Sequence, residues 1–247
     1  MQHLDILGEF LGTLVLILLG NGVGMSVSLK RMFANQSGRW LMITFGWAFA
    51  VLMGVIVASS LGAPGHINPA VSLFALFGDK KIDKFFAYSA VQILGAFSGQ
   101  IILYIINYKH IKETDDYAII RSCSSTSGGF SNFKEKGLAQ NLMYEYVATL
   151  VLIGIIFALG KGENKKYFES LGPIPVVLLI SSLSLSLGSV TGYAMNPARD
   201  LGPRVAFQLF SIFIWKQKKI NGGWDYSFVP IISPLLAGTT IGLFSLI

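Results

Sequence analysis

Two asparagines stand at the head of identical tripeptides, Asn68-Pro69-Ala70 and Asn196-Pro197-Ala198. Asparagine is a preferred helix N-cap and proline is preferred at the first helical position, so each tripeptide predicts the start of a helix. If each asparagine oxygen caps its own helix, the amide N–H groups stay free to donate to a solute. The partial positive charge of two facing helix N-termini would repel cations and hydrated protons. The pair therefore indicates hydrogen bonding to neutral solutes rather than catalysis.

Two carboxylates occupy matching positions in a repeated pattern, Glu-x-x-small-Thr-Leu-Val-Leu-Ile. The copies are Glu9–Ile17 and Glu145–Ile153. A carboxylate inside an apolar segment is costly, so symmetric placement predicts that Glu9 and Glu145 each accept hydrogen bonds from a nearby loop backbone. The alternative is a proton relay in a coupled transporter, which the absence of a matching lysine or histidine series makes less favoured.

No motif of an enzyme or a metal site is present. The sequence has no Gly-x-Ser-x-Gly, His-Glu-x-x-His or P-loop pattern, and it has only three histidines. His66 adjoins the first tripeptide without a second ligand nearby, so we expect no metal and no cofactor. The single cysteine, Cys123, excludes an internal disulfide.

The elements that position these residues are apolar spans. The chain is 53% hydrophobic and 13% charged over 247 residues, and a spanning helix needs roughly 20 apolar residues. Six stretches fit: Phe10–Leu29, Trp40–Leu61, Phe85–Tyr108, Gly137–Gly160, Leu171–Ser189 and Tyr226–Ile247. They leave no length for a soluble domain, so we expect one all-α transmembrane domain over residues 1–247. The net charge of +6 is scattered over loops and does not indicate nucleic-acid binding.

Three spans on each side of a polar connector predict an inverted repeat. The repeats cover about residues 1–108 and 137–247, and the connector covers residues 109–136. In each repeat a Gly-rich break precedes the tripeptide, which predicts half-helices from Pro69 to about Phe77 and from Pro197 to about Leu209. Irregular backbone inside a membrane is tolerated where it lines a watery cavity. The carbonyls expected to line it belong to Gly65, His66, Ile67, Gly192, Tyr193 and Ala194.

Arg199 lies three positions into the second half-helix, where the first repeat has Val71. A cation there opposes the helix dipole, and an arginine at membrane depth costs a few kcal/mol, which is typical of a functional site. The alternative is an arginine that extends to the outer interface.

The chain resembles the aquaporin superfamily over nearly its full length, and its glycerol-facilitator branch in particular. The matching pieces are Gly8–Thr13, Gly65–Val71, Gln92–Phe97 and Thr191–Arg204. The pair of Asp200 and Arg204 and the dipeptide Pro234-Leu235 are similar to the glycerol branch rather than to water-selective relatives.

This resemblance implies a right-handed bundle of six transmembrane helices and two re-entrant half-helices. It implies a selectivity filter of Trp47, Ser184, Tyr193 and Arg199, pore asparagines Asn68 and Asn196, and structural support of the re-entrant loops by Glu9, Glu145 and Asp200. Tyr193 stands where the family has phenylalanine. Ser184 stands where glycerol channels have glycine, and it is expected to add polarity and take up width in the filter.

The function expected from these residues is passive conduction of glycerol, related small polyols and water, with exclusion of protons and ions. The alternatives are a water-dominated channel with poor glycerol flow and a proton-coupled secondary transporter. The resemblance further implies a homotetramer in the plasma membrane, with membrane lipid around it and a cytoplasmic N-terminus. Charge opposes that orientation, because only six of the 19 basic residues then lie on inner loops. These six are Lys80, Lys81, Lys84, Lys161, Lys165 and Lys166.

Overall fold

The computed structural model describes residues 4–129, 137–213 and 220–247. The elements of these ranges are all helices, as the sequence predicts. In chain order they are α1 (Leu4–Ser28), α2 (Arg39–Ser60), α3 (Pro69–Asp79), α4 (Ile82–Ile106), α5 (Tyr108–Thr114), α6 (Tyr117–Ser122), α7 (Leu138–Leu159), α8 (Gly162–Glu169), α9 (Ile174–Leu187), α10 (Pro197–Phe213) and α11 (Val229–Phe244).

Four of the described helices, α1, α2, α4 and α7, are long and apolar enough to cross a membrane. Two of the predicted spans contain shorter helices than expected, with 14 residues in α9 and 16 in α11. The short helix α8 meets α9 at an angle of 108°. Gly172 has a left-handed φ of 57° and is followed by Pro173, so the α9 helix begins after both. Hydropathy reports where the apolar stretch begins, and the helix need not begin there.

Small residues let the first two spans pack closely. A Cβ placed on Gly12 of α1 would lie 2.6 Å from the carbonyl oxygen of Gly54 in α2, so any side chain at this position would push the helices apart. Close backbone approach through small residues is the usual way in which membrane helices associate. Helix α1 packs on α2 and α4, and helix α7 correspondingly packs on α9 and α11.

The half-helices α3 and α10 cross between the repeats. Helix α3 packs on α11, helix α10 packs on α4, and the two half-helices also contact each other. Both begin at the predicted proline and continue past the predicted ends, to Asp79 and to Phe213. In the connector, for which the sequence predicted no elements, the chain forms α5 and α6. The crossing brings the N-termini of α3 and α10 together inside the bundle.

Candidate pore and filter

Both asparagines cap the half-helices that they precede. The Asn68 Oδ1 atom accepts a hydrogen bond from the amide of Ala70 at 2.9 Å. The Asn196 Oδ1 atom accepts from the amides of Ala198 and Arg199 at 3.0 and 3.2 Å. Each helix thus satisfies part of its first turn with its own cap, which leaves the side-chain amide group pointing elsewhere.

The amide groups of the two asparagines link the repeats. The Asn68 Nδ2 atom donates to the carbonyl of Met195, and the Asn196 Nδ2 atom donates to the carbonyl of Ile67, both at 2.8 Å. The expectation that these amides are entirely free is therefore wrong. An asparagine has two N–H donors, so each side chain keeps one for a solute after the cross-link is made.

Two buried glutamates hold the loops that precede the asparagines. Neither Glu9 nor Glu145 is accessible to solvent, and each carboxylate accepts from two consecutive backbone amides. The amides are those of His66 (2.8 Å) and Ile67 (2.7 Å) at Glu9, and those of Ala194 (2.9 Å) and Met195 (2.9 Å) at Glu145. Because the amides of each segment point toward a glutamate, the carbonyls of the same segment can point away from it, toward the interior of the bundle.

Left-handed backbone in both loops accompanies this arrangement. Ile67, Tyr193 and Met195 have φ values of 43°, 39° and 48°. A positive φ is an outlier for a β-branched residue such as Ile67 and costs of order 1–3 kcal/mol, which the surrounding hydrogen bonds must offset. Among the described residues, none donates a hydrogen bond to the carbonyls of Gly65, His66, Tyr193 and Ala194, whereas those of Ile67 and Gly192 accept from Asn196 and Arg199.

Both loops and both asparagines line a cavity of about 460 Å³. The polar lining includes Asn68, Asn196 and Arg199, and much of the remaining wall is aliphatic. Glu9 and Glu145 are not among the lining residues in the described part of the chain. They act on the loops and are separated from the cavity by the loop backbone.

Three predicted filter residues meet at this cavity. The Arg199 Cζ atom lies 4.3 Å from the centroid of the Trp47 ring, and its Nη2 atom donates to the carbonyl of Gly192 at 3.4 Å. Tyr193 also lines the cavity, and its ring packs edge-to-face against Trp40 with centroids 5.8 Å apart. One cation and two aromatic rings therefore form a corner of the cavity, and within the described ranges the Arg199 guanidinium donates to no acceptor other than the Gly192 carbonyl.

Comparison with known proteins assigns the family. The family model described as Major intrinsic protein matches residues 2–245. The chain belongs to the major intrinsic protein family. It is 42% identical over 95% of its length to glycerol uptake facilitator protein 3 of Lactiplantibacillus plantarum, covering 92% of that protein. It is 38% identical to the glycerol uptake facilitator protein of Streptococcus pneumoniae, with 98% of each chain covered.

A solved structure is similar over the same extent. The X-ray structure of the aquaglyceroporin from Plasmodium falciparum matches with a TM-score of 0.74 and 28% identity, covering 98% of this chain and 94% of that one. The aquaporin-like fold of this major intrinsic protein, with half-helices inserted into a multi-pass bundle, is thereby confirmed.

The fourth predicted filter residue, Ser184, lies behind Tyr193, with which it shares a side-chain hydrogen bond. Ser184 is fully buried, and its hydroxyl is 2.8 Å from that of Thr44. It is not among the described residues that line the cavity. The Tyr193 hydroxyl, the other departure from the family pattern, makes a weak 3.5 Å hydrogen bond to the carbonyl of Ile43. Both hydroxyls thus have protein partners, in contrast to the polar filter wall that the resemblance implies.

Asp200 links α10 to the connector rather than binding the re-entrant loop directly. One carboxylate oxygen accepts from the amide and the hydroxyl of Thr126, both at 2.7 Å, and the other accepts from Arg204 Nε at 2.7 Å. The Arg204 guanidinium also donates to the carbonyls of Thr126, Gly222 and Gly223. This buried pair therefore joins three segments on the side of the bundle where Arg199 lies.

Sequence reasoning missed two positions that shape the site. A Cβ on Gly20 of α1 would lie 2.6 Å from the Trp47 ring, so glycine at this position makes room for the indole. Thr126 lies in the polar connector, where no motif marks it. The spacing of Gly20 with Gly8 and Gly12 on one helix could have indicated the first, whereas only the fold brings Thr126 to Asp200.

Proposed function

We propose that this chain is a passive channel for glycerol, related small neutral polyols and water, and that it excludes protons and ions. The observation that carries the proposal is the corner formed by Arg199, Trp47 and Tyr193 on the cavity. Relatives named as glycerol uptake facilitators and an aquaglyceroporin structure support it. The protein is not an enzyme, and the proposal requires no cofactor.

The corner suits a molecule with one apolar and one polar side. The carbon chain of a polyol packs against the rings of Trp47 and Tyr193, and its hydroxyls accept from Arg199 and donate to the carbonyl of Tyr193. Gly192, which was also expected to offer its carbonyl, is not among the described residues that line the cavity, and its carbonyl accepts from Arg199. Further along, the free carbonyls of Gly65, His66 and Ala194 continue to accept from the solute. Hydrogen bonds that the solute loses to water are replaced in turn by hydrogen bonds to the wall, which lowers the barrier to passage down the solute's own gradient.

Proton and ion exclusion is assigned to the meeting point of the half-helices. Both N-termini carry partial positive charge, and Asn68 and Asn196 each keep one donor for a solute oxygen. A cation at this point would find no carboxylate to bind, because neither Glu9 nor Glu145 is among the described residues that line the cavity. This arrangement also disfavours the proton-coupled transporter, since both carboxylates are occupied by backbone donors and neither lines the cavity.

The assembly follows the family resemblance. We propose a homotetramer with one pore per subunit, in which residues 1–247 form a single domain with inverted repeats over residues 1–108 and 137–247. It lies in the plasma membrane with lipid around it and with a cytoplasmic N-terminus. Crosslinking in native membranes measures the number of subunits, and protease accessibility of a terminal tag measures the orientation.

Stopped-flow light scattering on proteoliposomes tests the transport mode. We expect glycerol flux to follow the glycerol gradient alone and to be unchanged by a pH gradient. Uphill glycerol movement driven by pH would overturn the proposal in favour of coupled transport, and fast water flux without glycerol flux would favour the water-dominated channel.

A double replacement, Trp47→Ala with Tyr193→Ala, tests the filter assignment. Removal of both rings should widen the corner and admit polyols larger than glycerol. The matched control is Phe45→Ala, which removes an aromatic ring from an exposed position on the same helix as Trp47. Unchanged exclusion of larger polyols in the double variant would contradict the assignment.

A further inference from the structure

A second concave surface lies outside the pore, where the C-terminal ends of α7 and α11 meet the start of α8. This groove has a volume of about 510 Å³. Its wall is formed by small or apolar residues, and its lip by polar ones. The wall comprises Gly154, Phe157, Ala158, Ile241 and Phe244, and the lip comprises Lys161, Gly162, Glu163 and Asn164.

The groove follows the last turns of α7. Gly154 lies five residues before the end of this helix at Leu159, about 7.5 Å along its axis at 1.5 Å per residue. Helix α7 is long and apolar enough to cross a membrane, and in that placement the apolar wall faces hydrocarbon while the lip lies at the interface with water. A ligand that fits both parts must itself be apolar at one end and polar at the other.

The lip contains a lysine, Lys161, without an acidic partner among the described residues. The Lys161 Nζ atom lies 4.7 Å from the centroid of the Phe157 ring and forms no ion pair with any described residue. The one acidic side chain of the lip, Glu163, is paired with Lys166 at 2.9 Å. A lysine of this kind favours an anionic headgroup at the membrane surface by about 1 kcal/mol.

We propose that this groove binds an anionic phospholipid, with an acyl chain against Gly154 and Ile241 and the phosphate at Lys161. The apolar wall and the charged lip match the two ends of such a lipid. The bound chain would also touch Phe157, whose ring packs edge-to-face on Phe74 of α3 with centroids 5.9 Å apart. The site would thus contact a ring that braces the half-helix carrying Asn68.

Native mass spectrometry of the detergent-solubilised full chain measures this binding without reference to transport. Dioleoyl phosphatidylglycerol and dioleoyl phosphatidylcholine are added separately to the wild type and three variants. Lys161→Gln removes the headgroup contact. Gly154→Leu fills the wall, and it should be tolerated because a Cβ there meets nothing closer than Ile241 Cδ1 at 3.6 Å. Lys165→Gln makes the same charge change on the same segment but outside the groove.

We expect the wild type to retain phosphatidylglycerol more strongly than phosphatidylcholine. Lys161→Gln should weaken phosphatidylglycerol retention about fivefold, the equivalent of ~1 kcal/mol, and Gly154→Leu should weaken retention while the thermal midpoint stays unchanged. Equal retention of the two lipids would overturn the site. So would equal effects of Lys161→Gln and Lys165→Gln, which would indicate diffuse attraction, or wild-type retention in Gly154→Leu.

Discussion

The two re-entrant loops share a backbone but differ in the side chains that follow their asparagines. In both loops a buried glutamate receives two consecutive amides, and an asparagine caps the next helix and reaches across to the other loop. Three residues after the asparagine, the first repeat has Val71 and the second has Arg199. Four residues after it, the first has Ser72 and the second has Asp200.

Because of these differences, the two half-helices have different side-chain partners. Ser72 itself is uncharged, and its hydroxyl accepts from Gln92 Nε2 at 3.0 Å, an atom that also donates to the Glu9 carboxylate at 2.8 Å. Asp200 instead binds Arg204 and Thr126 and thereby recruits the connector. The ion pair of Asp200 and Arg204 thus lies in the repeat that carries Arg199, and the first repeat has uncharged side chains at the positions of Arg199 and Asp200. In the proposed function, the shared backbone forms the pore and the side chains that differ select the solute.

Asp200→Asn should cause the largest loss of stability. The change keeps the shape but leaves the buried Arg204 guanidinium without its carboxylate, and breaking such a pair costs about 3–5 kcal/mol. The equivalent change in the first repeat, Ser72→Ala, should cost only about 1 kcal/mol. Thermal melting of the detergent-solubilised protein measures both, and equal shifts would mean that the second repeat has no special ionic support.

Glu9→Gln and Glu145→Gln should weaken the hydrogen bonding of their re-entrant loops to a similar degree. Each change replaces one of two acceptor oxygens by an N–H group that faces a backbone amide, at a cost of about 1–3 kcal/mol. Glycerol flux at equal protein density should fall in both variants, and the remaining flux should stay independent of pH gradients. A neutral result for one glutamate alone would show that the two loops are not held alike.

Arg199→Val gives the second repeat the side chain that the first has at this position. Loss of a charged donor should lower the ratio of glycerol to ribitol permeability about tenfold, or ~1.4 kcal/mol. Proteoliposome swelling in each polyol measures the ratio. The control is Arg199→Lys, which keeps the charge without the planar fork and should fall between the two. A wild-type ratio in Arg199→Val would place selectivity elsewhere.

Gly20→Ala tests the close packing of Gly20 against the Trp47 ring, over which the Arg199 guanidinium lies. The added methyl group overlaps the indole, so it should displace the ring at a cost of about 1 kcal/mol and change the ratio of glycerol to water permeability. Gly24→Ala on the same helix is the matched control, because its Cβ meets only Cys123 Cα at 3.8 Å. Indistinguishable behaviour of the two variants in stopped-flow assays would contradict this packing.

Ser184→Gly should have the smallest effect, less than about twofold on glycerol flux, because the hydroxyl bonds to Thr44 and does not line the cavity. The same assays apply, with Thr44→Val as a second variant that removes the partner hydroxyl. Admission of larger polyols by Ser184→Gly, to the extent expected of the Trp47 and Tyr193 double variant, would place Ser184 in the filter after all.

The apolar spans and the two half-helices could be predicted from the sequence, because apolar length and Asn-Pro caps are local signals, whereas α5, α6 and α8 were not predicted. The all-α architecture and the starts of α3 and α10 follow from them. The late start of α9 at Ile174 and the two connector helices could not be predicted, because they depend on local breaks and packing that hydropathy does not report. Of the filter candidates, Trp47, Tyr193 and Arg199 share one cavity, and Ser184 does not.

The sequence by itself determined that two capped half-helices occur in matching repeats and that an arginine follows only one of them. These are properties of residue type and spacing, which local physical chemistry interprets directly. Only the tertiary structure decided that the asparagine amides bond across the repeats, that Thr126 reaches Asp200, and that Gly20 makes room for Trp47. Each of these contacts joins residues far apart in the chain, and their distances depend on how the helices pack.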